Sequence, residues 1–258
     1  CMDNSHPKVF LLEPETQAEV DMALRRTAHA PQILLTTDAR AAHAYAGFTS
    51  DCPATEPELP WELSVYDETL RLFTSGTTGR QKSVCLTSIN EVLSAHDVMI
   101  HFPFSFTDRS MNTTPWFHRG GLHSGGITPT LYAGGTVIIQ RKFQPEKTLD
   151  MVQQYGLTFL IGVPNVLELL AEAQQKQPRD LSSLRGIVTM GSPLERADCI
   201  RYQKILTKRI FNGYGTTETF WNTFLRPDDL PEMAGSAGRS CVDDDVRVIK
   251  VYEDRVAE

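Results

Sequence analysis

The chain has 258 residues, of which 41% are hydrophobic and 22% are charged, and it carries a formal net charge of −7. This composition is typical of a globular enzyme domain that is long enough for one sizeable core or two lobes. The negative net charge, without a basic cluster interleaved with aromatic residues, argues against a nucleic-acid partner.

The five cysteines are widely spaced, and none belongs to a C-x-x-C pair. They indicate neither a disulfide framework nor a zinc site, and a reducing, cytoplasmic location is the natural interpretation. No apolar run approaches the roughly 18 residues that a membrane-spanning helix needs. The sequence therefore predicts no membrane span.

Predicted elements alternate between helices and strands from the start of the chain. Apolar side chains among charges predict an amphipathic helix within residues 15–30, and residues 32–37 predict a strand. Residues 49–62 are rich in proline and acidic side chains, which is typical of a surface connector. This connector leads into a short apolar strand that ends in the most informative segment of the chain.

That segment, residues 72–83, opens from an apolar run into a loop of glycines and hydroxyl side chains and is closed by Lys82. Gly76 and Gly79 allow backbone N–H groups to approach phosphate oxygens closely, and the lysine adds a point charge. The hydroxyl donors are Thr74, Ser75, Thr77 and Thr78. Because Gln81 precedes the lysine, the spacing differs from that of the common nucleoside-triphosphatase loop. On spacing alone, the segment predicts either a phosphate loop or an ordinary turn at a strand end.

After this phosphate loop, residues 84–86 predict a strand, and the spacing of Ser88 and Glu91 predicts a capping box that opens a helix to about His101. The loop is thus expected between two strands and not at a helix N-terminus. Further strands are predicted over residues 136–139, 158–161, 186–190 and 209–211, and helices over 145–155 and 165–174. This alternation predicts an open α/β sheet with ligand-binding residues at the carboxyl ends of strands.

Three further motifs follow the phosphate loop. They are the histidine motif Pro115-Trp116-Phe117-His118-Arg119-Gly120-Gly121-Leu122, the loop Met190-Gly191-Ser192-Pro193-Leu194, and the tyrosine motif Asn212-Gly213-Tyr214-Gly215-Thr216-Thr217-Glu218. All four stretches closely resemble, in the same order, those of the adenylate-forming superfamily, which contains acyl- and aryl-CoA synthetases, adenylation domains of peptide synthetases and luciferases. The resemblance implies an α/β fold with mixed and parallel β-sheets flanked by helices, as part of the N-terminal domain of such an enzyme.

The resemblance also implies how a nucleotide is held. Residues of the phosphate loop would wrap the β- and γ-phosphates of ATP, namely Thr74, Ser75, Gly76, Thr77, Thr78, Gly79 and Lys82. Gly191, Ser192 and Pro193 would line the adenine edge, and Tyr214, flanked by Asn212, Gly213, Gly215 and Thr216, would stack on the base. Thr217 would donate to the α-phosphate, and Glu218 would hold Mg²⁺. The alternatives are a solvated lysine at 82, a core tyrosine at 214, and a helix first turn at 217–218.

The carboxylic acid would meet the α-phosphate at His118, which completes the catalytic candidates with Lys82, Thr217 and Glu218. A structural role is the alternative for His118, and it is the preferred interpretation for His123. Candidates for the acyl pocket wall are Trp116, Phe117, Leu122, Gly125, Gly126 and Trp221, although bulky apolar residues are more often core. Amino-acid-selecting members of the family usually carry an aspartate just beyond the phenylalanine of the histidine motif. Here His118 follows Phe117, which favours a plain fatty or aromatic acid.

Two departures from the family pattern affect the expected domain organisation and activity. Gln81 replaces the usual proline, and the chain ends before the ribose-binding aspartate and the C-terminal lysine domain. We therefore expect a fragment or a naturally reduced relative, with residues 1–67 a remnant of the N-terminal lobe and its connector, and residues 68–258 the nucleotide- and acyl-binding core.

The favoured hypothesis is an acid–thiol ligase that forms an acyl-adenylate from ATP, releases pyrophosphate and then transfers the acyl group to coenzyme A. A carrier-protein thiol is an alternative acceptor. A non-catalytic module that binds a nucleotide or adenylate is the alternative from another functional class. The chain by itself is expected to turn over poorly, because the lysine domain takes part in adenylation in the family.

Overall fold

The computed structural model describes residues 1–59, 61–74, 82–252 and 256–257, without the side chains of the last pair. The described residues divide into two compact units: the smaller contains those of Cys1–Ser64 together with residues 82 and 83, and the larger contains those of Val65–Thr74 and Val84–Glu258. Among the described residues, no helix has the length and apolar character required to cross a membrane.

The smaller unit has a two-stranded parallel sheet with Val9 opposite Ile33. Its elements are α1 (Met2–Ser5), β1 (Val9–Leu12), a 3₁₀ helix (Pro14–Thr16), α2 (Gln17–Leu24), β2 (Ile33–Thr36) and α3 (Tyr45–Thr49). The helix expected within residues 15–30 ends early. Beyond it, the Asp3 carboxylate accepts hydrogen bonds from the backbone N–H groups of Ala28 and His29, at 2.9 and 3.1 Å. These bonds hold the following residues outside the helix.

Two strands flank the predicted phosphate loop, as expected from the sequence. They are β3 (Glu68–Thr74) and β4 (Lys82–Thr87), which pair in a two-stranded sheet and lead into α4 (Ser88–His101). The capping box is shifted by one residue from the prediction, because Thr87, in an extended conformation, is the N-cap. Asn90 Oδ1 accepts from both the Thr87 backbone N–H at 3.0 Å and its hydroxyl at 2.9 Å.

The main sheet of the larger unit contains β5 (Arg109–Asn112), β6 (Thr136–Val137), β7 (Phe159–Gly162), β8 (Gly186–Met190), β9 (Ile210–Thr216), β10 (Phe220–Leu225) and β11 (Arg239–Ser240). Their order in the sheet is β11-β10-β9-β8-β7-β5-β6. The neighbouring strands β6, β5, β7, β8 and β9 are parallel to one another, whereas β10 is antiparallel to β9 and to β11. A separate antiparallel pair follows, β12 (Lys250–Val251) with β13 (Val256–Ala257). The expected α/β class with parallel and mixed sheets is confirmed.

Helices accompany this sheet, and some end where the sequence indicates. They are α5 (Arg119–His123), α6 (Ile127–Tyr132), α7 (Pro145–Tyr155), α8 (Pro164–Lys176) and α9 (Arg196–Ile205), with a 3₁₀ helix at Pro227–Asp229. The prediction for α7 is confirmed at both ends. Pro145 occupies its first turn, and Gly156 adopts the left-handed conformation, with φ of 60°, that terminates a helix.

Buried side chains lie on both faces of the main sheet. Successive residues of a strand point to opposite faces, so adjacent residues belong to different clusters. In β7, Leu160 belongs to a cluster with residues of α7, α8 and α9, including Leu149, Leu167 and Cys199. Its neighbour Ile161 belongs to a second, largely aromatic cluster with Val98, Phe102, Phe104, Phe159, Val188, Met190, Phe211, Phe220, Trp221, Phe224 and Cys241. Burial on both faces is typical of parallel sheets.

The carboxyl ends of the parallel strands carry two of the motifs. The histidine motif follows β5, which ends at Asn112, and the loop at 190–194 begins in the last residue of β8. The tyrosine motif differs from the prediction, because β9 does not end at residue 211 but continues to Thr216. Its extension is stabilised by pairing with β10, where Gly213 lies opposite Phe224 and Gly215 opposite Trp221.

Candidate active site

A cavity of about 330 Å³ lies at the carboxyl end of β8 and beside β9. Two sequence motifs and a third, unpredicted segment line it: Gly191, Ser192, Pro193, Leu194, Asn212, Gly213, Tyr214, Gly215, Gly235, Ser236 and Ala237. The volume is within the usual range of small-molecule sites. Every predicted adenine-edge residue therefore borders one cavity with four residues of the tyrosine motif.

Tyr214 is exposed over 56% of its surface, although it lies within a strand. The alternative of a core tyrosine is therefore wrong. Asn212 and Tyr214 are two residues apart in β9 and share a face of the strand. The intervening Gly213 faces the aromatic cluster, where an added Cβ would lie 3.0 Å from Trp221 Nε1. The strand alternation thus gives the cavity an aromatic surface and a neighbouring amide.

Asn212 is 5% exposed and carries an unsatisfied acceptor. Its Nδ2 donates to the Ser236 carbonyl at 3.5 Å, whereas its buried Oδ1 has no hydrogen-bond partner among the described residues. A buried acceptor without a partner costs free energy on the order of 1–3 kcal/mol. A ligand with a suitably placed N–H donor could remove this cost by entering the cavity.

A turn between β9 and β10 carries the catalytic candidates Thr217 and Glu218. The turn is closed by the hydroxyls of Thr216 and Thr219, which are 3.1 Å apart, and Glu218 is exposed. The alternative of a helix first turn is wrong. Among the described residues, no group of three or more His, Cys, Asp or Glu side chains could hold a metal ion. A metal at Glu218 would thus need oxygens from a ligand, as Mg²⁺ bound to phosphates does.

The histidine motif forms a tight turn that leads into α5. Asn112 Nδ2 donates to the Gly120 carbonyl at 2.8 Å, and a Cβ at Gly121 would lie 2.2 Å from the Pro115 carbonyl oxygen. His118 is the N-cap of α5 and is exposed, with its ring 4.4 Å from that of Phe117. The turn thus presents the imidazole to solvent, and none of the residues that the structure describes forms an ion pair with it.

The candidates for the acyl pocket wall separate by burial. Trp116 and Phe117 are 37% and 69% exposed, and Leu122 is half-buried. Gly125 and Gly126 are buried, and an added Cβ would lie 3.0 Å from Ile161 Cγ1 at Gly125 and 1.9 Å from the Gly121 carbonyl oxygen at Gly126. These glycines therefore serve close packing.

Trp221 is not a wall residue, and this part of the prediction is wrong. It is 4% exposed, and its ring lies 4.7 Å from Phe220 and 4.6 Å from Phe224 within the aromatic cluster. The pairing of β10 with β9 turns this side chain towards the core, and the sequence does not reveal that register.

Arg119 was missed by the sequence analysis. It is 7% exposed, and its Nη1 donates to the Thr217 carbonyl at 2.6 Å. Burial lowers the pKa of its guanidinium, and the carboxylates of Glu91, Asp97 and Glu218 act in the opposite direction. An arginine beside glycines gives no sequence signal for a contact with a residue so distant in the chain. His123, by contrast, is fully buried with Nε2 2.9 Å from the Glu91 carboxylate, which agrees with its structural interpretation.

The phosphate loop is only partly described. Thr74 is half-buried at the end of β3, and Lys82 is exposed at the start of β4. Ser75, Gly76, Thr77, Thr78, Gly79 and Gln81 lie outside the described residues. The roles expected for this loop stay predictions.

Known proteins similar to this chain include two named ligases. The indoleacetate–CoA ligase of Aromatoleum aromaticum is 32% identical over 246 residues, which cover 94% of this chain and 47% of the relative. The feruloyl-CoA synthase of an Amycolatopsis species is 31% identical over 223 residues, which cover 85% of this chain and 44% of the relative. The chain thus spans about half the length of these relatives.

The N-terminal domain of FACL13 from Mycobacterium tuberculosis has a similar fold. Its crystal structure matches with a TM-score of 0.79 over 93% of this chain and 59% of the solved one, at 22% identity. At this identity the match supports the fold alone. A family model described as AMP-binding enzyme matches residues 1–258. The whole chain, including its cavity and its ordered motifs, therefore belongs to the AMP-binding enzyme family.

Proposed function

We propose that the protein containing this chain activates a carboxylic acid with ATP to an acyl-adenylate and then transfers the acyl group to coenzyme A. The observation that carries the proposal is the cavity beside β9, which joins an exposed aromatic face at Tyr214 to the unsatisfied acceptor of Asn212. Family membership and the CoA-ligase relatives support the same reaction. Residues 68–258 would carry the site, since every residue that lines the cavity is in this range.

Adenine fits this cavity chemically. Its exocyclic amine is a donor for Asn212 Oδ1, which otherwise lacks a partner among the described residues. Its flat ring can stack on Tyr214, an interaction worth on the order of 1–3 kcal/mol for a base on an aromatic side chain. The backbone groups of Gly191, Ser192 and Pro193 border the same cavity and would line the adenine edge.

The phosphates would extend towards the β9–β10 turn. There Thr217 would donate its hydroxyl to the α-phosphate, and the exposed carboxylate of Glu218 would hold Mg²⁺ together with phosphate oxygens, consistent with the preference of Mg²⁺ for one or two carboxylates plus phosphates. When bound, the ion would neutralise phosphate charge. Thr74, Lys82 and the loop between them are assigned to the β- and γ-phosphates on sequence resemblance alone.

The chemistry then needs two anions to meet. An oxygen of the substrate carboxylate attacks the α-phosphorus, a new O–P bond forms, and the bond to the bridging oxygen breaks as pyrophosphate leaves. His118 would orient the carboxylate, because an exposed imidazole can hydrogen-bond it without competing as a fixed counter-ion. In the second step the thiol of coenzyme A loses its proton to solvent and its sulfur bonds to the acyl carbon. The bond from that carbon to the oxygen shared with the phosphorus breaks, and AMP leaves with that oxygen.

An aromatic acid is the favoured substrate class. The names of the two relatives specify indoleacetate and feruloyl groups, which are both aromatic. In this chain the exposed rings of Trp116 and Phe117 lie beside His118 in the histidine motif. The residue directly after Phe117 is His118 and not an aspartate that could pair with a substrate amine. A cytoplasmic location is proposed as well, because all five cysteines have free thiols.

The test is calorimetry with the whole protein that contains this chain. Acyl-sulfamoyl adenosines with short, long and aromatic acyl groups are titrated, together with AMP and IMP. We expect the aromatic analogues to bind most tightly, and AMP to bind more tightly than IMP, which lacks the exocyclic amine. Absence of nucleotide binding would contradict the proposal. Nucleotide binding that no acyl group strengthens would favour a nucleotide-binding module over a ligase.

A further inference from the structure

Arg119 connects the histidine motif to the turn that carries Glu218. Its Nη1 donates to the Thr217 carbonyl at 2.6 Å, and its Nη2 donates to the Ser94 hydroxyl at 3.0 Å. Its guanidinium carbon lies 5.0 Å from the centre of the Phe220 ring. One side chain therefore contacts α4, the β9–β10 turn and the first residue of β10.

The guanidinium of Arg119 is buried, and no described hydrogen bond pairs its charge with a carboxylate. The side chain is 7% exposed, and its two described hydrogen bonds go to neutral acceptors, a carbonyl and a hydroxyl. Its Nε is buried without a hydrogen-bond partner among the described residues. Removing a charge from water is costly unless it is well paired. Arg119 thus bears a desolvation cost while its shorter described hydrogen bond supports the Thr217 carbonyl.

The contact with Thr217 controls the geometry of the next residue. The Thr217 carbonyl belongs to the peptide bond whose nitrogen is that of Glu218, and a peptide unit is planar. Fixing this oxygen therefore fixes the plane from which the Glu218 side chain projects. On the other side of the turn, Phe220 has a φ of 65°, a sparsely populated conformation for a bulky residue. The surrounding contacts, including Arg119, must hold the turn in this form.

We infer that Arg119 is a positioning residue for the metal–phosphate step, which holds the Thr217–Glu218 peptide so that the Glu218 carboxylate is directed for binding Mg·ATP. The inference rests on the proposed function of Thr217 and Glu218. Arg119 directly follows His118, the residue proposed to contact the acid. Its hydrogen bond to Thr217 therefore also links the position of the β9–β10 turn to the position of His118.

The test compares Arg119→Met, which keeps the length of the side chain, with Arg119→Lys, which keeps the charge but not the fork of donors. Calorimetry on the whole protein measures AMP affinity without metal and ATP affinity across a Mg²⁺ series. We expect Arg119→Met to weaken Mg·ATP binding at least tenfold while AMP affinity changes less than twofold, and Arg119→Lys to recover part of the loss.

A matched control is Arg185→Met. Arg185 also donates to a backbone carbonyl, that of Pro103 at 2.8 Å, and its guanidinium lies 5.4 Å from the Phe159 ring centre. Its Nη1 also forms an ion pair with Asp108 Oδ1 at 2.6 Å. Unlike Arg119, Arg185 does not belong to any of the four motifs. We expect this variant to lower the melting temperature and to leave the Mg²⁺ dependence of ATP binding unchanged.

A double-mutant cycle separates positioning from general destabilisation. If Arg119 acts through Glu218, Arg119→Met should have little further effect on Mg·ATP affinity in a Glu218→Gln background. Independent, additive losses, or equal loss of AMP and Mg·ATP, would overturn the inference. If the wild type binds AMP and Mg·ATP and Arg119→Met is unchanged, the inference alone fails. If the wild type binds neither nucleotide, the proposed function fails with it.

Discussion

Tyr214 offers the most direct test of the cavity at the level of a single residue. Its exposed ring can supply a stacking surface for a base, and losing such a surface costs on the order of 1–3 kcal/mol, or about 5- to 150-fold in affinity. We expect Tyr214→Ala to weaken AMP binding within this range, and Tyr214→Phe to retain most of it because the ring remains. Calorimetry measures both, and equal loss in the two variants would argue against stacking.

Lys82 tests the phosphate loop from its described end. A positive charge near the β- and γ-phosphates should matter for ATP and not for AMP, which lacks those groups. We expect Lys82→Ala to weaken Mg·ATP binding about tenfold or more and to change AMP binding less than twofold. Lys176→Ala removes the same charge from an exposed position at the end of α8 and serves as the control. Equal losses for both nucleotides would contradict the assigned role.

Single residues were predictable where a motif marks them. Asn212 and Tyr214 were identified from the tyrosine motif, and the cavity contains both. Ser236 and Arg119 were not identified, since their partners lie 24 and 98 residues away in sequence. Trp221 was assigned to the wrong environment, because only the pairing of β10 with β9 decides which way its ring points.

The turn before α5 gives a test at the level of an element. A Cβ at Gly121 would lie 2.2 Å from the Pro115 carbonyl oxygen, which is backbone and cannot move aside without opening the turn. At Gly120 the nearest atom is Met190 Sδ at 3.1 Å, in a flexible side chain. We expect Gly121→Ala to displace His118 and to weaken binding of acyl-sulfamoyl adenosines far more than binding of AMP.

Gly120→Ala is the matched control for this turn. We expect it to reduce the affinity for acyl-sulfamoyl adenosines much less than Gly121→Ala does. Comparing the affinities of both ligands for both variants gives the required measurement. Similar effects of the two substitutions would mean that the close approach at Gly121 does not govern the turn.

Element boundaries were predictable where local residues determine them. Pro145 and Gly156 bound α7 through backbone conformation alone, so both ends agree with the prediction. The end of α2 depends instead on Asp3, which accepts hydrogen bonds from Ala28 and His29 across more than 20 residues. The extension of β9 likewise depends on β10, a strand that the periodicity of the sequence did not indicate.

On the scale of the whole molecule, the two faces of the main sheet should respond differently to mutation. Leu160 and Ile161 are adjacent in β7, and both are almost fully buried. Leu160 packs in the helical cluster, whereas Ile161 belongs to the aromatic cluster, and its Cγ1 would lie 3.0 Å from a Cβ added at Gly125 beyond the histidine motif. Truncation of either to alanine should cost about 2–5 kcal/mol of unfolding free energy.

Ligand binding should distinguish these two variants although their stability losses are similar. We expect Leu160→Ala to retain the affinity of the wild type for aromatic acyl-sulfamoyl adenosines, and Ile161→Ala to weaken it because Gly125 loses its packing partner. Denaturant unfolding and calorimetry on the same samples provide both quantities. A loss of affinity in Leu160→Ala as large as in Ile161→Ala would contradict this separation of the faces.

The class of the fold followed from the alternation of apolar strands and helices, whereas the strand order did not. The sheet places β5 between β7 and β6, and it adds β10 and β11 as antiparallel strands at the other edge. Such an order depends on which crossovers pack together, and no local pattern encodes that choice. Two of the four motifs line the cavity beside β9, and the histidine motif follows β5 of the same sheet. The roles assigned to the residues of the four motifs stay predictions.

The close approach of Gly213 to Trp221 has a practical consequence. Gly213 borders the cavity, and its backbone lies between the cavity and the indole of Trp221, whose Nε1 would lie 3.0 Å from a Cβ added at Gly213. Indole emission is sensitive to small changes in surrounding polarity. Filling the cavity should therefore alter the fluorescence of Trp221, so that the unlabelled protein carries an intrinsic optical reporter for ligand titrations.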